Sequence, residues 1–493
     1  MMNSSMLLLL PIVLPILAGL MVFVVKPLKD RKVRNWFVGS FLIINALITG
    51  YLVIGPEIRM ELFMLTKETP ILFKLDGVGR IYTVLLAIMW TFAGFFGMEY
   101  MKHEERENRY FGFFLVALGV LNGVAYAGNL VTFYMLYETM TLVTMPLVLH
   151  SLTKDAIRAG YKYLFYSIFG ASLGLLGIFF MNQYTVTTEF LAGGSLDLTK
   201  VVGHEGLIQV IVFLAILGFG AKAGMFPLHG WLPTAHPVAP APASAVLSGV
   251  IVKAGVLGMI RMVFYIVGAD FLRGTWVQIT WMTLALITVF MGSMLAYKEQ
   301  ILKKRLAYST VSQVSYIVFG LSLLNGDGVL GGLQHIIYHS FIKNALFLTA
   351  GAIIYKTGKT KVDELRGIGK EMPITIWCYT IVSLALIGIP PLNGFISKWY
   401  LAIGSLEAGI PVFSWLGPVV LLVSALLTAG YLLPITIKGF LPGADYDYTS
   451  LKKFEPSRFM TVPLILLATG SVLLGMFPNP LIHFIESIIQ TIL

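Results

Sequence analysis

The sequence is poor in cysteine and in charged residues. Of its 493 residues one is cysteine, Cys378, and 12% are Asp, Glu, Lys or Arg. A lone cysteine excludes a disulfide framework and any cluster held by several thiolates. Soluble domains carry about 25% charged residues, so half that share leaves too little polar surface for a water-soluble fold. The chain also lacks a Walker A loop, a dinucleotide-binding GxGxxG turn and a nucleophile elbow, so we expect no catalytic residues and no bound cofactor.

In their place the sequence has a succession of apolar runs. Hydrophobic residues make up 57% of the chain. Runs of about twenty residues recur from end to end, and each is long enough to cross a hydrocarbon layer of about 30 Å. We therefore predict an all-α polytopic membrane protein of about fourteen transmembrane helices, with a short amphipathic tail over 479–493. The predicted spans are 5–25, 34–54, 80–101, 109–128, 129–150, 160–182, 207–226, 242–266, 275–297, 306–324, 330–355, 374–402, 412–437 and 459–478.

Basic residues are distributed unevenly between the two sets of loops. The loops after odd-numbered spans hold 23 Lys and Arg residues with Arg34 and Arg109 at their edges, and the loops after even-numbered spans hold five, or six with Arg80 at an edge. Because basic loops stay on the cytoplasmic side, this bias predicts that both termini lie on the outer face of the cytoplasmic membrane. The net charge of +10 is interpreted in the same way and not as a nucleic-acid surface.

Two predicted spans are interrupted by similar segments. Span 7 contains Pro227-Leu-His-Gly-Trp231 and span 12 contains Pro391-Leu-Asn-Gly-Phe395. Five spans separate the two breaks, so the copies run in opposite directions, and paired broken helices in inverted repeats are typical of transport paths. The alternative is that Pro–Gly pairs merely kink two helices. The predicted units are three N-terminal helices (1–108), a first inverted repeat (109–266, spans 4–8), a second (275–437, spans 9–13), and a last helix with its tail (438–493).

Ionisable residues lie inside or beside several apolar spans. Placing a charge at the centre of a span costs about 2.5–3.5 kcal/mol on insertion scales, so these side chains are expected to face the protein interior and to have a function. Arg261 and Lys162 lie nearer span ends, where a long side chain can reach the interface instead. The residues expected to move ions are Glu138, Lys222, Lys253, Lys343 and Lys398.

Glu138 and Lys222 suggest an acid–base pair on neighbouring helices. Glu138 is centrally placed in span 5, and Lys222 directly precedes the break in span 7. A nearby carboxylate influences the protonation of a buried lysine, so movement of the acid or its proton would switch Lys222. The alternative is a static ion pair that holds two helices together.

Histidines form the second group of candidates. His335 and His339 lie on one face of span 11 with Lys343, at a spacing of four residues. Such a face can relay protons, hold a metal or make interhelical hydrogen bonds, and we expect no metal because further ligands are missing from the pattern. His229 and His236, beside the first break, are either a proton entry or ordinary loop contacts.

One run of the sequence carries a specific signature. It reads Lys222-Ala-Gly-Met-Phe-Pro227-Leu-His229-Gly-Trp231-Leu-Pro233-Thr-Ala-His236 and continues to Lys253-Ala-Gly255. It resembles the antiporter-like membrane subunits of respiratory complex I, of Mrp-type multisubunit sodium/proton antiporters (their D-type component), and of membrane-bound NiFe hydrogenases and related energy-converting complexes. The resemblance extends over the whole chain, including the fourteen spans and the two breaks.

The resemblance implies roles for individual residues. Glu138 and Lys222 match the family's interacting pair, Lys253 the connecting lysine, His335 and His339 the central polar axis, and Lys398 the terminal position, where members carry Lys or Glu. Tyr137 stands where many members have Trp. The long lateral helix of the largest complex I paralogue is missing, so the chain resembles the shorter paralogues.

The predicted function is that of an ion-translocating, non-catalytic component of a multisubunit respiratory or hydrogenase-type complex. Its expected partners are further membrane subunits, including antiporter-like ones, a redox module and the lipid bilayer, and no nucleic acid. The alternatives are a quinone-interacting oxidoreductase component, an inactive structural scaffold and a stand-alone solute carrier. The sequence does not distinguish protons from sodium ions.

Overall fold

The computed structural model describes residues 4–67, 69–444, 446–447 and 452–493. Within these ranges the only sheet is a hairpin between the second and third long helices, in which β1 (Arg59–Met64) pairs antiparallel with β2 (Pro70–Lys74). The rest of the regular structure is helical. The all-α polytopic class predicted from the apolar runs is therefore confirmed.

The long helices follow one another with short connections. They are α1 (Leu10–Val24), α2 (Arg31–Ile54), α3 (Gly77–Tyr100), α4 (Glu107–Tyr126), α5 (Leu130–Val148), α6 (Lys154–Tyr184), α7 (Glu205–Ala223), α8 (Ala241–Val267), α9 (Trp276–Lys298), α10 (Leu302–Ser322), α11 (Gly326–Thr357), α12 (Pro373–Ile387), α13 (Asn393–Glu407), α14 (Phe413–Phe440), α15 (Arg458–Met476) and α16 (Asn479–Ile492).

Twelve helices in the described ranges are long and apolar enough to cross a membrane. Two predicted spans are not among them. One is α10, which begins with Lys303, Lys304 and Arg305, and the other is divided between α12 and α13, which have 15 residues each. The total of fourteen therefore stays a prediction, because length and apolarity alone do not recover a polar helix or a broken one.

The two breaks share a local design. Helices α7 and α12 both end at a glycine in the left-handed conformation, Gly224 with φ 80° and Gly388 with φ 97°. Glycine is favoured there because a Cβ atom strains this conformation. The chain then passes Pro227 or Pro391 and becomes helical again, over Leu232–Val238 in the first case and in α13 in the second.

Helices α8 and α11 lie at the centre of the molecule. The apolar window of α8 is entirely buried and that of α11 is 94% buried, whereas those of α2 and α14 are 33% buried. Two segments of α8, Leu247–Ile251 and Arg261–Val267, are π-helical, with N–H groups reaching carbonyls five residues back, as from Val252 to Leu247 at 3.1 Å. Such segments occur often at functional sites.

Candidate functional site

Lys222 occupies a buried cage of hydroxyl groups. The lysine lies in the last turn of α7 and is 1% exposed. Its Nζ atom donates to Thr141 Oγ1 at 2.8 Å, Tyr163 OH at 2.8 Å and Ser167 Oγ at 3.1 Å. Tyr163 OH also lies 2.7 Å from Thr144 Oγ1. All four hydroxyls can donate as well as accept, so the cage can serve either a charged or a neutral amine.

Glu138 is not in direct contact with Lys222. No ion pair in the described part of the chain joins these two residues, although their charges lie within electrostatic reach of each other. Glu138 is half-buried on α5, one turn before Thr141 of the cage. Exposed Met135 and Leu142 lie on the same helical face. The structure thus shows no direct contact, and the pairing of Glu138 with Lys222 stays a prediction.

Helix α8 packs against α7 beside Lys222. A Cβ atom at Gly255 would lie 2.4 Å from the Phe219 backbone oxygen and 3.0 Å from Lys222 Cβ, so α7 and α8 are packed backbone to backbone there. The fully buried Lys253 Nζ donates to the Gly249 carbonyl. That carbonyl also accepts a 2.7 Å hydrogen bond from Ser340 Oγ of α11, which ties the two central helices together.

Helix α11 carries three more buried ionisable residues. The term buried row denotes the series Lys222, Lys253, His335, His339, Lys343 and Lys398. His335, His339 and Lys343 are all 0% exposed. The rings of the two histidines are 5.8 Å apart, His335 Nδ1 is hydrogen bonded to Ser397 Oγ of α13 at 2.8 Å, and Lys343 Nζ donates to Ser309 Oγ of α10 at 2.6 Å. Both Lys253 and Lys343 lie within electrostatic reach of His339.

Lys398 is held at the end of a helix. Its Nζ atom donates to the backbone carbonyls of Leu386 at 2.5 Å and Ile387 at 3.0 Å, which belong to the last turn of α12. It also lies 5.1 Å from the centre of the Tyr316 ring. The last carbonyls of a helix have no partner inside the helix and carry its negative end, so they stabilise an ammonium group.

Several buried polar atoms along the row have no hydrogen-bond partner among the described residues. Buried polar groups are nearly always hydrogen bonded, so these atoms require water or another small polar molecule. Several of them lie on α11 with the two histidines, and others follow the two breaks. They include both ring nitrogens of His339 and of His236, Nε2 of His335, the side-chain amides of Gln313, Gln334 and Asn393, and Oδ1 of Asn344.

The two entry candidates have different surroundings. His229 lies in the break after α7 and is partly exposed, with Phe226 stacked 6.1 Å away. His236 is fully buried, stacks on Phe347 of α11 at 4.6 Å, and lies within electrostatic reach of Lys343. The structure thus joins His236 to the central row, whereas His229 remains at its edge.

Two buried cations belong to polar clusters that the sequence did not predict. Arg261 was expected to reach the interface, but it is 1% exposed and forms a two-pronged ion pair with Asp76, the N-cap residue of α3. Burial raises the pKa of Asp76, but Arg261 and the Gly79 N–H outweigh it and hold this pKa below its usual value. Lys303, counted as a loop charge, donates to the Ala239 and Pro237 carbonyls.

A signal for Asp76 existed in the sequence. An acid directly before a long apolar run is typical of a helix N-cap. Nothing in the sequence pairs it with Arg261, which lies 185 positions further along the chain. Among the described residues no three His, Cys, Asp or Glu side chains converge as a set of metal ligands.

The chain is similar in sequence to known membrane proteins. Residues 127–432 match the family described as "NADH:quinone oxidoreductase/Mrp antiporter, TM". The N subunit of the NADH-quinone oxidoreductase of Desulforudis audaxviator is 31% identical over 421 residues, covering 83% of this chain and 82% of that protein. The D component of the Na(+)/H(+) antiporter of Alkalihalophilus pseudofirmus is 26% identical over 99% of this chain and 97% of its own.

A solved structure extends the likeness to the whole fold. A chain of the membrane-bound sulfane sulfur reductase, an archaeal respiratory membrane complex, superimposes with a TM-score of 0.86 at 22% identity. The match covers 99% of this chain and 100% of that one.

Proposed function

The chain belongs to the NADH:quinone oxidoreductase/Mrp antiporter family, and we propose that it is an ion-translocating membrane subunit that moves protons along its buried row. The observation that carries the proposal is the continuity of the row. The hydroxyl cage around Lys222 lies against α8, and the buried Lys253 of α8 is within electrostatic reach of His335 and His339. His335 is in turn within electrostatic reach of Lys398.

The chemistry of the row favours protons over metal cations. Its central members are amines, imidazoles and hydroxyls, which exchange protons with bridging water. Lys222, Lys253 and Lys343 would each repel a passing sodium ion when charged, and this repulsion is strong in a low-dielectric interior. In the proposed path protons enter by His236 and the edge residue His229. They reach Lys222, pass Lys253 and His335/His339 beside Lys343, and leave beside Lys398, whose ammonium group keeps its charge.

Glu138 is proposed to connect this row to a neighbouring subunit. A half-exposed carboxylate on an apolar helix face is costly against lipid, so a protein partner is the favourable neighbour. When that partner draws the carboxylate charge away from the cage, Lys222 is more readily deprotonated. The partners proposed are further membrane subunits of a multisubunit complex, in the cytoplasmic membrane and with both termini on its outer face.

Substitution of Lys222 tests the proposal. The complex carrying Lys222→Ala would be reconstituted in liposomes that contain a pH-sensitive or a sodium-sensitive dye. We expect normal assembly and loss of proton movement, whereas Lys298→Ala, an exposed lysine at the end of α9, should pump as the unchanged complex does. Unchanged proton movement in a correctly assembled Lys222→Ala complex would overturn the role of the row. Sodium movement that tracks Lys222 instead would overturn its assignment to protons.

A further inference from the structure

An apolar groove runs along one flank of the molecule and shares no lining residue with the buried row. Four clefts between α2, α3 and their neighbours share wall residues, so that each continues into the next. The clefts are numbered from one end of the groove to the other. Phe95 and Phe459 line both the first and the second cleft, Thr91 and Phe92 line both the second and the third, and Ile88 lines both the third and the fourth. Their volumes are about 330, 370, 310 and 490 Å³ in that order.

The groove has a basic mouth. Helices α2 and α15 begin there and α3 ends there, on the face to which the basic loops belong. Lys32 and Arg458 line the mouth, are exposed, and have no side-chain partner among the described residues. Lys102 also lines it, paired with Glu99 at 2.7 Å. Asp30 already caps the start of α2, so the two unpaired side-chain charges of Lys32 and Arg458 are what make the mouth favour an anion.

Below its mouth the groove is lined mostly by apolar side chains, with Arg80 at its far end. Below the mouth the walls are Phe, Val, Leu, Ile and Pro side chains with a few small residues, and Gly50 opens onto empty space. Trp36 is 79% exposed at the level of Lys32, which is the usual depth of a tryptophan at a membrane surface. A series of narrow clefts suits flexible chains better than a helix, which is a cylinder about 10 Å wide.

We propose that this groove is a binding site for an anionic glycerophospholipid of the basic-side leaflet. Lys32 and Arg458 hold its phosphate, and its acyl chains lie between α2, α3 and α15. Charge complementarity at the mouth and apolar walls beneath it are both required, so neither a free phosphate nor a neutral lipid fits the site as well. The site is separate from the ion path and does not depend on the proposed function.

Lipid titration of the delipidated complex, read by native mass spectrometry, tests the proposal. In Lys32→Gln/Arg458→Gln the affinity for phosphatidylglycerol should fall by on the order of 25-fold, since each basic group near a membrane surface contributes about fivefold. Affinity for phosphatidylcholine should stay the same. Gly50→Phe, which places a ring in the groove, should weaken both lipids.

The matched control is Lys154→Gln/Lys298→Gln, which removes two exposed lysines of the same face at the ends of other helices. It should bind both lipids as the unchanged complex does. Equal phosphatidylglycerol affinity in the charge variant and this control would overturn the proposal. So would competition by inorganic phosphate alone, or a structure of the complex with a partner helix in the groove.

Discussion

The two lysines at the helix breaks are held in different ways. Lys222 is buried among three hydroxyl groups of α5 and α6, whereas half-buried Lys398 binds two backbone carbonyls at the end of α12. Carbonyls only accept hydrogen bonds, so they favour the ammonium form. Hydroxyls rotate and can donate to a neutral amine. The same backbone device therefore produces one site that suits two protonation states and one that suits a fixed charge.

Arginine substitution should give the largest difference in proton pumping between the two lysine sites. Arg is always protonated but keeps several donors. In Lys222→Arg we expect proton pumping by the complex to fall by about 10²–10⁴-fold, the usual range for loss of a proton-transferring group. Lys398→Arg should retain most of the activity, because its donors still reach the carbonyls of α12. Equal losses in the two variants, measured with a pH dye in liposomes, would mean that both lysines deprotonate.

Arg261 is a third buried cation, and its charge is fixed because it is paired with the carboxylate of Asp76. Asp76→Asn leaves a buried guanidinium without a counter-charge, and we expect it to destabilise the protein by about 3–5 kcal/mol. The lowered pKa of Asp76 means that the pair's stabilisation is fully present at neutral pH. It is lost only as the pH falls below about 4, through the folded-state value. Thermal unfolding in detergent at pH 7 and pH 5 should show the same deficit, and a deficit that vanishes at pH 5 would contradict this account.

Alanine substitutions at the two glycines that end the broken helices should differ less in their effect on stability. Alanine in the left-handed conformation costs about 1–2 kcal/mol at either position. At Gly224 the new Cβ atom would also lie 2.3 Å from Leu232 Cδ1, whereas at Gly388 the nearest atom is Lys398 Cδ at 3.1 Å. Gly224→Ala should therefore lower the unfolding temperature more than Gly388→Ala. The reverse order would show that the second break is the more tightly packed one.

Tyrosine substitutions should have the smallest effects. Tyr163→Phe removes one of three hydroxyls around Lys222, and we expect pumping to fall a few-fold, as for the loss of about 1 kcal/mol. Tyr316 meets Lys398 with its ring face, which Tyr316→Phe preserves, so pumping should change less. Proton flux measured in both variants side by side tests this order, and a larger loss in Tyr316→Phe would place its hydroxyl in the path.

The sequence predicted features that depend on local pattern. Apolar run length predicted the membrane helices, and a Pro–Leu–x–Gly segment predicted both interruptions. It could not predict contacts between helices that are distant in the chain. Helical periodicity placed Glu138 on α5 but did not show that hydroxyl groups of α5 and α6, and not Glu138, contact Lys222. The position of Arg261 near a span end suggested the interface, whereas its partner is an acid on another helix.

Lys398 shows a second kind of limit. Its partners are backbone carbonyls that become available only because α12 ends where it does, and no side-chain pattern encodes them. For the same reason the sequence assigned Lys303 to a loop. It did not show that Lys303 binds carbonyls at the end of a short helix.

The π-helical segments of α8 set the rotational phase of the central helix. A π segment accommodates one more residue than an α-helix over the same rise, and one residue turns an α-helix by about 100°. Deleting one residue from Leu247–Ile251 would let the chain wind as a regular α-helix while turning Lys253 relative to the preceding turns. Lys253 and Arg261 both follow this segment, so they would turn together, away from α11 and from Asp76. The irregular winding thus sets the direction in which both side chains leave the helix relative to its first turns, Ala241–Val246.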